Sequence, residues 1–336
     1  MAEAGAATVD EVGSTRGRTA RALMTTFVQR QGALVALVLV CVFAAARYPQ
    51  FLNENNLLNV LRQNSMLGMV ALGMTFVILT GGIDLSVGSL LAVAGVVAAN
   101  LAGYGFLVAL AAGVGFATLL GTINGLAIAK GRIQPFIVTL AMMIAARGLA
   151  LVWTGEESVG VGSLSRGFTE LGRGRLDLFV FSIPYPVLLL VAAYAAGWLV
   201  LNHTRFGRHV YSLGDNEEAA RLMGLNVGRV TVGVYALSGA LAGLAGVVLA
   251  SRLGAGQPVA GMGWELDAIA AVVVGGTLLT GGQGSAVSTL IGVMLLGVIF
   301  NIFNLEGSIS PWWQQVLRGL ILLAVVVVQN RLSRRR

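Results

Sequence analysis

The sequence predicts an all-α polytopic membrane protein of about ten transmembrane helices, some of them short or broken. Three observations carry that reading. Of the 336 residues, 56% are hydrophobic and only 11% charged, and the mean hydropathy of +0.83 lies far above that of a water-soluble globular chain. Apolar segments approaching the roughly 20 residues needed to cross a hydrocarbon core recur along the chain. The 46 glycines fit the same class, because small residues let helices approach closely in lipid, where the hydrophobic effect cannot drive their association.

Residues 1–26 are small, polar and basic, with Arg16, Arg18 and Arg21, and read as a flexible cytoplasmic tail. A transmembrane domain is expected over 27–330, followed by a basic cytoplasmic tail at 331–336. Its apolar segments fall at 27–46, 57–80, 85–101, 106–129, 133–154, 183–201, 230–251, 266–279, 285–303 and 312–328. The first has the outline of a cleaved signal peptide, with basic residues before it and Ala44-Ala45-Ala46 at its end. Its polar lead is long for that, and a retained helix is favoured. Segment 266–279 is short for a crossing and is expected to be tilted, broken or extended by its neighbours.

Ten spans with a cytoplasmic N-terminus put both termini and fourteen of the 22 Lys and Arg residues inside, including Lys130, Arg132, Arg205, Arg208, Arg221 and Arg229. Arg47, Arg166, Arg173, Arg175 and Arg252 fall outside, and Arg62, Arg147 and Arg318 fall within spans. This bias follows the positive-inside rule and supports both the count and the orientation. It also places the hydrophilic segment 155–182 outside and 202–229 in the cytoplasm. The net charge of +7 and pI near 10.3 would suggest nucleic acid in a soluble domain, but here the basic residues lie mostly between or beyond apolar runs. Membrane lipid, and no nucleic acid, is the expected contact. Cys41 is the only cysteine, so no intrachain disulfide and no cysteine-based metal cluster can form.

The most informative stretch is Leu79-Thr80-Gly81-Gly82-Ile83-Asp84-Leu85-Ser86. A charged side chain at the centre of a membrane helix costs about 2.5–3.5 kcal/mol on insertion scales, so an acid between two apolar segments needs a reason. Two readings fit. Asp84 can N-cap the helix beginning near Leu85 while Gly81 and Gly82 end the preceding one. Alternatively, the glycines and the carboxylate form a break facing a passage, as in the discontinuous helices of transporters. Both can hold at once. The same word recurs as Leu279-Thr280-Gly281-Gly282, with Val87/Val287 and Leu90/Leu290 continuing the match, which favours an internal duplication.

Neutral polar groups lie within or beside the apolar segments: Asn64, Thr75, Asn124, Gln134, Thr139, Gln283, Asn301 and Asn304. Such groups suit a neutral polyol better than an ion. Each also serves as interhelical glue. Asn64, Asn124 and Gln283 join Gly81, Gly82 and Asp84 as translocation candidates. Both histidines, His203 and His209, lie beside arginines in the cytoplasmic segment, which disfavours a histidine-assisted nucleophile inside the membrane. No Gly-Lys-Ser/Thr is present, and the one lysine, Lys130, sits between Ala129 and Gly131, so the chain supplies no P-loop and is read as a non-enzyme that binds no cofactor.

The cytoplasmic run 213–225 reads as a short helix, capped by Asp215 or Asn216, with acids in its first turn and Gly224 ending it. It is either a solvated amphipathic connector or a docking helix. Here Glu218-Ala219-Ala220, three residues and Gly224 resemble the start of the EAA loop by which ABC permeases seat on their ATPase. The usual Ile-x-Leu-Pro continuation is missing, as in the divergent loop of the sugar-importer branch.

The break motif, together with Gly121-Thr122-Ile123-Asn124-Gly125, Gln134-Pro135-Phe136-Ile137-Val138-Thr139, His203-Thr204-Arg205-Phe206-Gly207, Gln257-Pro258 and Gly263-Trp264-Glu265-Leu266-Asp267, resembles the permease subunits of ribose-type monosaccharide ABC importers, in family order from about residue 27 to 328. The resemblance implies a type II-like importer permease that pairs with a second permease copy and binds a cytoplasmic ABC ATPase through Glu218, Ala219, Ala220 and Gly224. It also implies an extracytoplasmic sugar-binding protein that delivers a ribose-like monosaccharide. Rival readings are a related permease for branched-chain amino acids and a cation-coupled secondary transporter using Asp84.

Overall fold

A computed structural model describes residues 32–162, 166–178, 181–308, 310, 312–317, 319–321, 323 and 327. The expected tails at 1–26 and 331–336, and Arg318, lie outside these residues. The chain begins with α1 (Gly32–Arg47) and α2 (Glu54–Leu79), then after a break α3 (Val87–Leu101), a 3-10 turn at Ala102–Tyr104, α4 (Phe106–Gly131) and α5 (Pro135–Thr154). A folded connection follows: β1 (Val159–Gly160), α6 (Arg166–Arg173), β2 (Arg175–Leu178) and β3 (Phe181–Pro184). Next come α7 (Tyr185–His203), α8 (Arg205–Asp215), α9 (Glu217–Leu222), α10 (Val227–Leu253), β4 (Ala255–Gly256), α11 (Trp264–Val274) and α12 (Ala286–Glu306). Residues 312–317 are again helical.

The protein is an all-α polytopic membrane protein. Among the described residues, six helical stretches are long and apolar enough to cross a membrane: Val87–Tyr104, α4, α5, α7, α10 and α12. At 26 residues α2 is about 39 Å long. Its first half is polar, with Glu54, Arg62, Gln63 and Asn64, whereas every residue from Ser65 to Leu79 is buried. The centre of the bundle is α2, α3 and α10, with α4, α11 and α12 packed around them. Glycine makes the closest of these contacts: a Cβ at Gly121 on α4 would overlap the Tyr235 carbonyl of α10, so no larger residue allows this approach. α5 and α7 close the periphery and leave much of their apolar surface exposed, as lipid-facing or subunit-facing helices do.

Two stretches take a more definite form than the sequence alone predicts. The hydrophilic segment 155–182 is not an open loop. β1 pairs antiparallel with β4, β2 pairs with β3 with Arg175 opposite Pro184, and α6 is anchored on α10. Phe168 is buried, and the Gly172 amide donates to Ser251 Oγ at 2.7 Å. The spacing of Phe168, Leu171 and Gly172 gives α6 one buried face, which outweighs its polar composition. Segment 266–279 proves broken: α11 has 11 residues, about 16 Å, too few to cross, and ends at Gly275-Gly276, where Gly276 takes φ +99°.

Candidate functional site

The break after α2 is built by its glycines. The amides of Gly81 and Gly82 turn back to the Ile78 and Val77 carbonyls at 2.8 and 3.1 Å, and Gly81 takes φ +78°, the left-handed conformation that terminates helices. The chain then runs without regular structure past Asp84 before α3 starts at Val87. Asp84 does not cap α3: the N-cap position is Ser86, which makes no side-chain cap bond. Instead Asp84 Oδ1 accepts from the Ser86 amide at 3.0 Å and from Ser86 Oγ at 2.6 Å, an Asx-type turn placed before the helix rather than at its first turn.

Three further helices converge on this break, and α10 reaches the carboxylate itself. Ser238 Oγ of α10 donates to Asp84 Oδ2 at 2.9 Å, and Asn124 Nδ2 of α4 donates to Ser86 Oγ at 3.0 Å. Thr139 Oγ1 of α5 lies 3.2 Å from the Ile83 carbonyl, and Tyr235 of α10 packs its hydroxyl against Gly82. Asp84, Ser86, Asn124 and Ser238 are all buried, and Asp84 is the one charged side chain in the buried core among the described residues. Its hydrogen-bond partners are two serine hydroxyls and a backbone amide, all of them neutral donors. Ser238 stands eleven residues into α10, about 17 Å from its start, so the carboxylate lies deep in the bundle.

Among the described residues Asn124 Oδ1 and Tyr235 Oη are buried with no hydrogen-bond partner, leaving an acceptor and a hydroxyl next to the break. A groove of about 370 Å³ between α4 and α5 reaches Asn124, its walls formed by Ile123, Ala127, Ile137, Met142 and neighbours. The groove is apolar apart from that amide.

The second Leu-Thr-Gly-Gly word folds against the first. Gly281 and Gly282 take φ +89° and +73°, and the Gly282 amide donates to the Leu79 carbonyl at 3.0 Å. Gln283 belongs to this turn, but its side chain is exposed and its carbonyl accepts from the Leu278 amide at 2.9 Å. Asn64 lies apart, fifteen residues before Leu79 and about 22 Å away along α2, where its amide donates to the Val60 carbonyl. Thr75 meets Thr289 at 2.8 Å, and Asn56 and Asn301 exchange bonds of 3.1 and 2.8 Å, so Thr75 and Asn301 serve as glue between α2 and α12. Asn304 accepts from Gln314.

The expected short helix is α9, and a further helix, α8, precedes it. α8 is capped by Thr204, whose Oγ1 accepts from the Gly207 amide at 3.1 Å, and buries Gly207, Val210 and Leu213. The chain is extended at Asn216, whose side chain caps α9 through the Ala219 amide at 2.9 Å. Gly224, at φ +83°, ends it, with Leu225 bonded back to the Ala220 carbonyl. The face offered to a partner differs from expectation. Ala220 is fully buried against its own chain, because the return bond at Leu225 turns that side of the single α9 turn inward, so its methyl group is not available for docking. Glu217, Glu218, Arg221, Leu222 and Met223 form the exposed face, with Leu222 84% and Met223 76% exposed and Arg221 paired to Glu217 at 2.7 Å.

Sequence reasoning missed Ser86, Tyr235 and Ser238, and gave Arg147 no role. Arg147 Nη1 of α5 donates to the Pro258 and Ala260 carbonyls at 2.5 and 2.8 Å, holding the irregular strip between β4 and α11. A lone arginine in an apolar helix was a visible signal of a backbone partner. Ser238 and Tyr235 had a weaker one: they sit three residues apart, on one face of a helix that also carries Gly239, Gly243 and Gly246.

Membrane-length helices interrupted around a buried, hydroxyl-bound carboxylate belong to the architecture of discontinuous helices that transporters use. The family described as branched-chain amino acid transport system / permease component matches residues 56–326, and the chain belongs to that family. It is 44% identical over 314 residues to the ribose import permease protein RbsC of Escherichia coli (strain K12), covering 91% of this chain and 95% of that protein. It is 46% identical over 308 residues to RbsC of Bacillus subtilis (strain 168), covering 91% and 94%. The L-arabinose transport system permease protein AraH of Escherichia coli (strain K12) is 41% identical over 298 residues, covering 88% and 89%. No solved structure gives a significant match.

Proposed function

We propose that this chain is the membrane permease of an ABC importer that carries a monosaccharide, a ribose-like pentose or a related sugar, driven by ATP hydrolysis on a separate cytoplasmic subunit. The observation that carries the reading is the identity of 44–46% to two ribose import permeases over more than 90% of each chain. Asn124 Oδ1 and Tyr235 Oη, unpaired beside the break among the described residues, are neutral hydrogen-bonding groups of the kind a polyol uses, whereas the carboxylate and ammonium of a zwitterion need charged counterparts. In this reading two copies of the chain pair in the inner membrane of a prokaryote with both termini cytoplasmic. α9 seats the ATPase through Glu218, Leu222 and Met223, while Gly224 sets its exit. Segment 155–182 meets the sugar-binding protein outside. Gly81, Gly82, Asp84 and Asn124 form the inner part of the passage, which alternates in access as the ATPase opens and closes.

The test is reconstitution into vesicles with the ATPase and the sugar-loaded binding protein. Uptake of labelled ribose is expected to require both partners and ATP, and to survive an uncoupler. Uptake that needs no ATPase and collapses with the ion gradient establishes a cation-coupled transporter instead. Uptake of leucine rather than a sugar establishes the amino acid branch.

A further inference from the structure

Resting on that reading, we propose that Gly214 and Tyr211 of α8 form the joint through which movement of the ATPase-bound α9 reaches the broken helices. The two Leu-Thr-Gly-Gly turns meet through the bond from the Gly282 amide to the Leu79 carbonyl, and Gly214 lies on that bond. A Cβ built at Gly214 would overlap the Leu79 carbonyl oxygen and fall 2.5 Å from the Gly282 nitrogen. From the other side, a Cβ at Gly281 would fall 2.9 Å from the Gly81 nitrogen and 3.0 Å from the Gly214 carbonyl oxygen. Three segments far apart in sequence therefore touch backbone to backbone. One helical turn earlier, Tyr211 Oη donates to the Gly284 carbonyl at 2.9 Å and fixes the second turn to α8 at another point.

Backbone-to-backbone contact transmits displacement directly, because no side-chain rotamer intervenes to absorb it. The path is short at both ends. α9 starts one residue after α8 ends, separated only by extended Asn216, and Gly81 is three residues from Asp84. A shift of α9 thus pulls on α8, on the paired turns and on the segment that holds the carboxylate. Packing alone would be served by many small or apolar residues facing a side chain. Here glycine is required on all three strands of contact, two of them at positive φ.

The test uses the complete complex of permease, ATPase and binding protein, with Gly214→Ala and Tyr211→Phe variants. Three quantities are read: the amount of ATPase that co-purifies, the stimulation of ATP hydrolysis by ribose-loaded binding protein, and ribose transported per ATP. Gly214→Ala is expected to retain the ATPase while the stimulation and the transport ratio fall about tenfold, within the range of coupling between distant sites. Tyr211→Phe keeps the ring and loses one hydrogen bond, so about a fivefold loss is expected. A Gly214→Ala complex with wild-type stimulation overturns the joint, and so does one from which the ATPase dissociates, which would make α8 part of the seat. If Gly214→Ala does not fold, Tyr211→Phe decides: an unchanged transport ratio overturns the proposal. A wild-type chain that binds no ATPase overturns the importer reading and the joint with it.

Discussion

Replacement of Asp84 separates its structural work from its part in transport. The carboxylate accepts three hydrogen bonds in a site closed to solvent, two from Ser86 and one from Ser238. In Asp84→Ala both serine hydroxyls can turn toward other acceptors, but the Ser86 amide is left unpaired, at a cost of about 1–3 kcal/mol. In Asp84→Asn the side-chain oxygen keeps both Ser86 bonds, and the amide nitrogen faces Ser238 Oγ, which reverses its role from donor to acceptor. The expected loss is about 1 kcal/mol. Asn is also a good former of this turn, so Asp84→Asn is expected to purify in near wild-type yield, with an unfolding midpoint between those of wild type and Asp84→Ala. Transport is expected to fall further than stability, by about tenfold, because the amide reverses the one bond that ties the break to Ser238 of α10. Thermal unfolding in detergent and ATP-driven uptake in vesicles are measured on the same preparations. Wild-type uptake by Asp84→Asn refutes the argument and reduces the carboxylate to a turn former.

Three further outcomes follow from the packing. Leu222→Asp together with Met223→Asp is expected to abolish co-purification of the ATPase without changing folded yield, because both side chains face solvent, whereas Ala220→Trp is expected to lose folded protein, since that methyl is enclosed. Retention of the ATPase by the double variant removes α9 as its seat. Thr289→Val is expected to lower stability by about 0.6 kcal/mol and Thr75→Val by more, since it also loses the bond to the Ala71 carbonyl, with the pair costing less than the sum because the bond between the two hydroxyls is lost in either case; strict additivity in denaturant titrations contradicts the contact. Arg147→Gln removes a cation whose two bonds hold the strip between β4 and α11, so hydrogen exchange at 255–263 is expected to rise, while an unchanged exchange pattern shows the strip held by packing alone.

Local chemistry made much of this protein readable in advance. Long apolar segments announce membrane helices because hydrocarbon requires every backbone group to bond within its own element, and the glycine pairs at 81–82 and 281–282 announce helix ends because they admit positive φ. Asn216 and Gly224 mark the limits of α9 for similar reasons, since capping depends on residues within one turn. What tertiary structure decided is the meeting of these elements. The repeated word was visible as a repeat, but the contact between its copies, with Gly214 seated on it, joins positions up to about 200 residues apart and depends on how α2, α8 and α11 stack. Ser238 came to Asp84 only through the register of α10 against the break, and composition does not encode register. Asn64 and Asn124 are the same residue type in the same kind of segment. One bonds within its own helix and the other reaches the break, because the face of the helix, rather than the side chain, selects the partner. Ala220 shows the same limit: helix formation is local, but which side of a single turn faces inward depends on the surface beneath it.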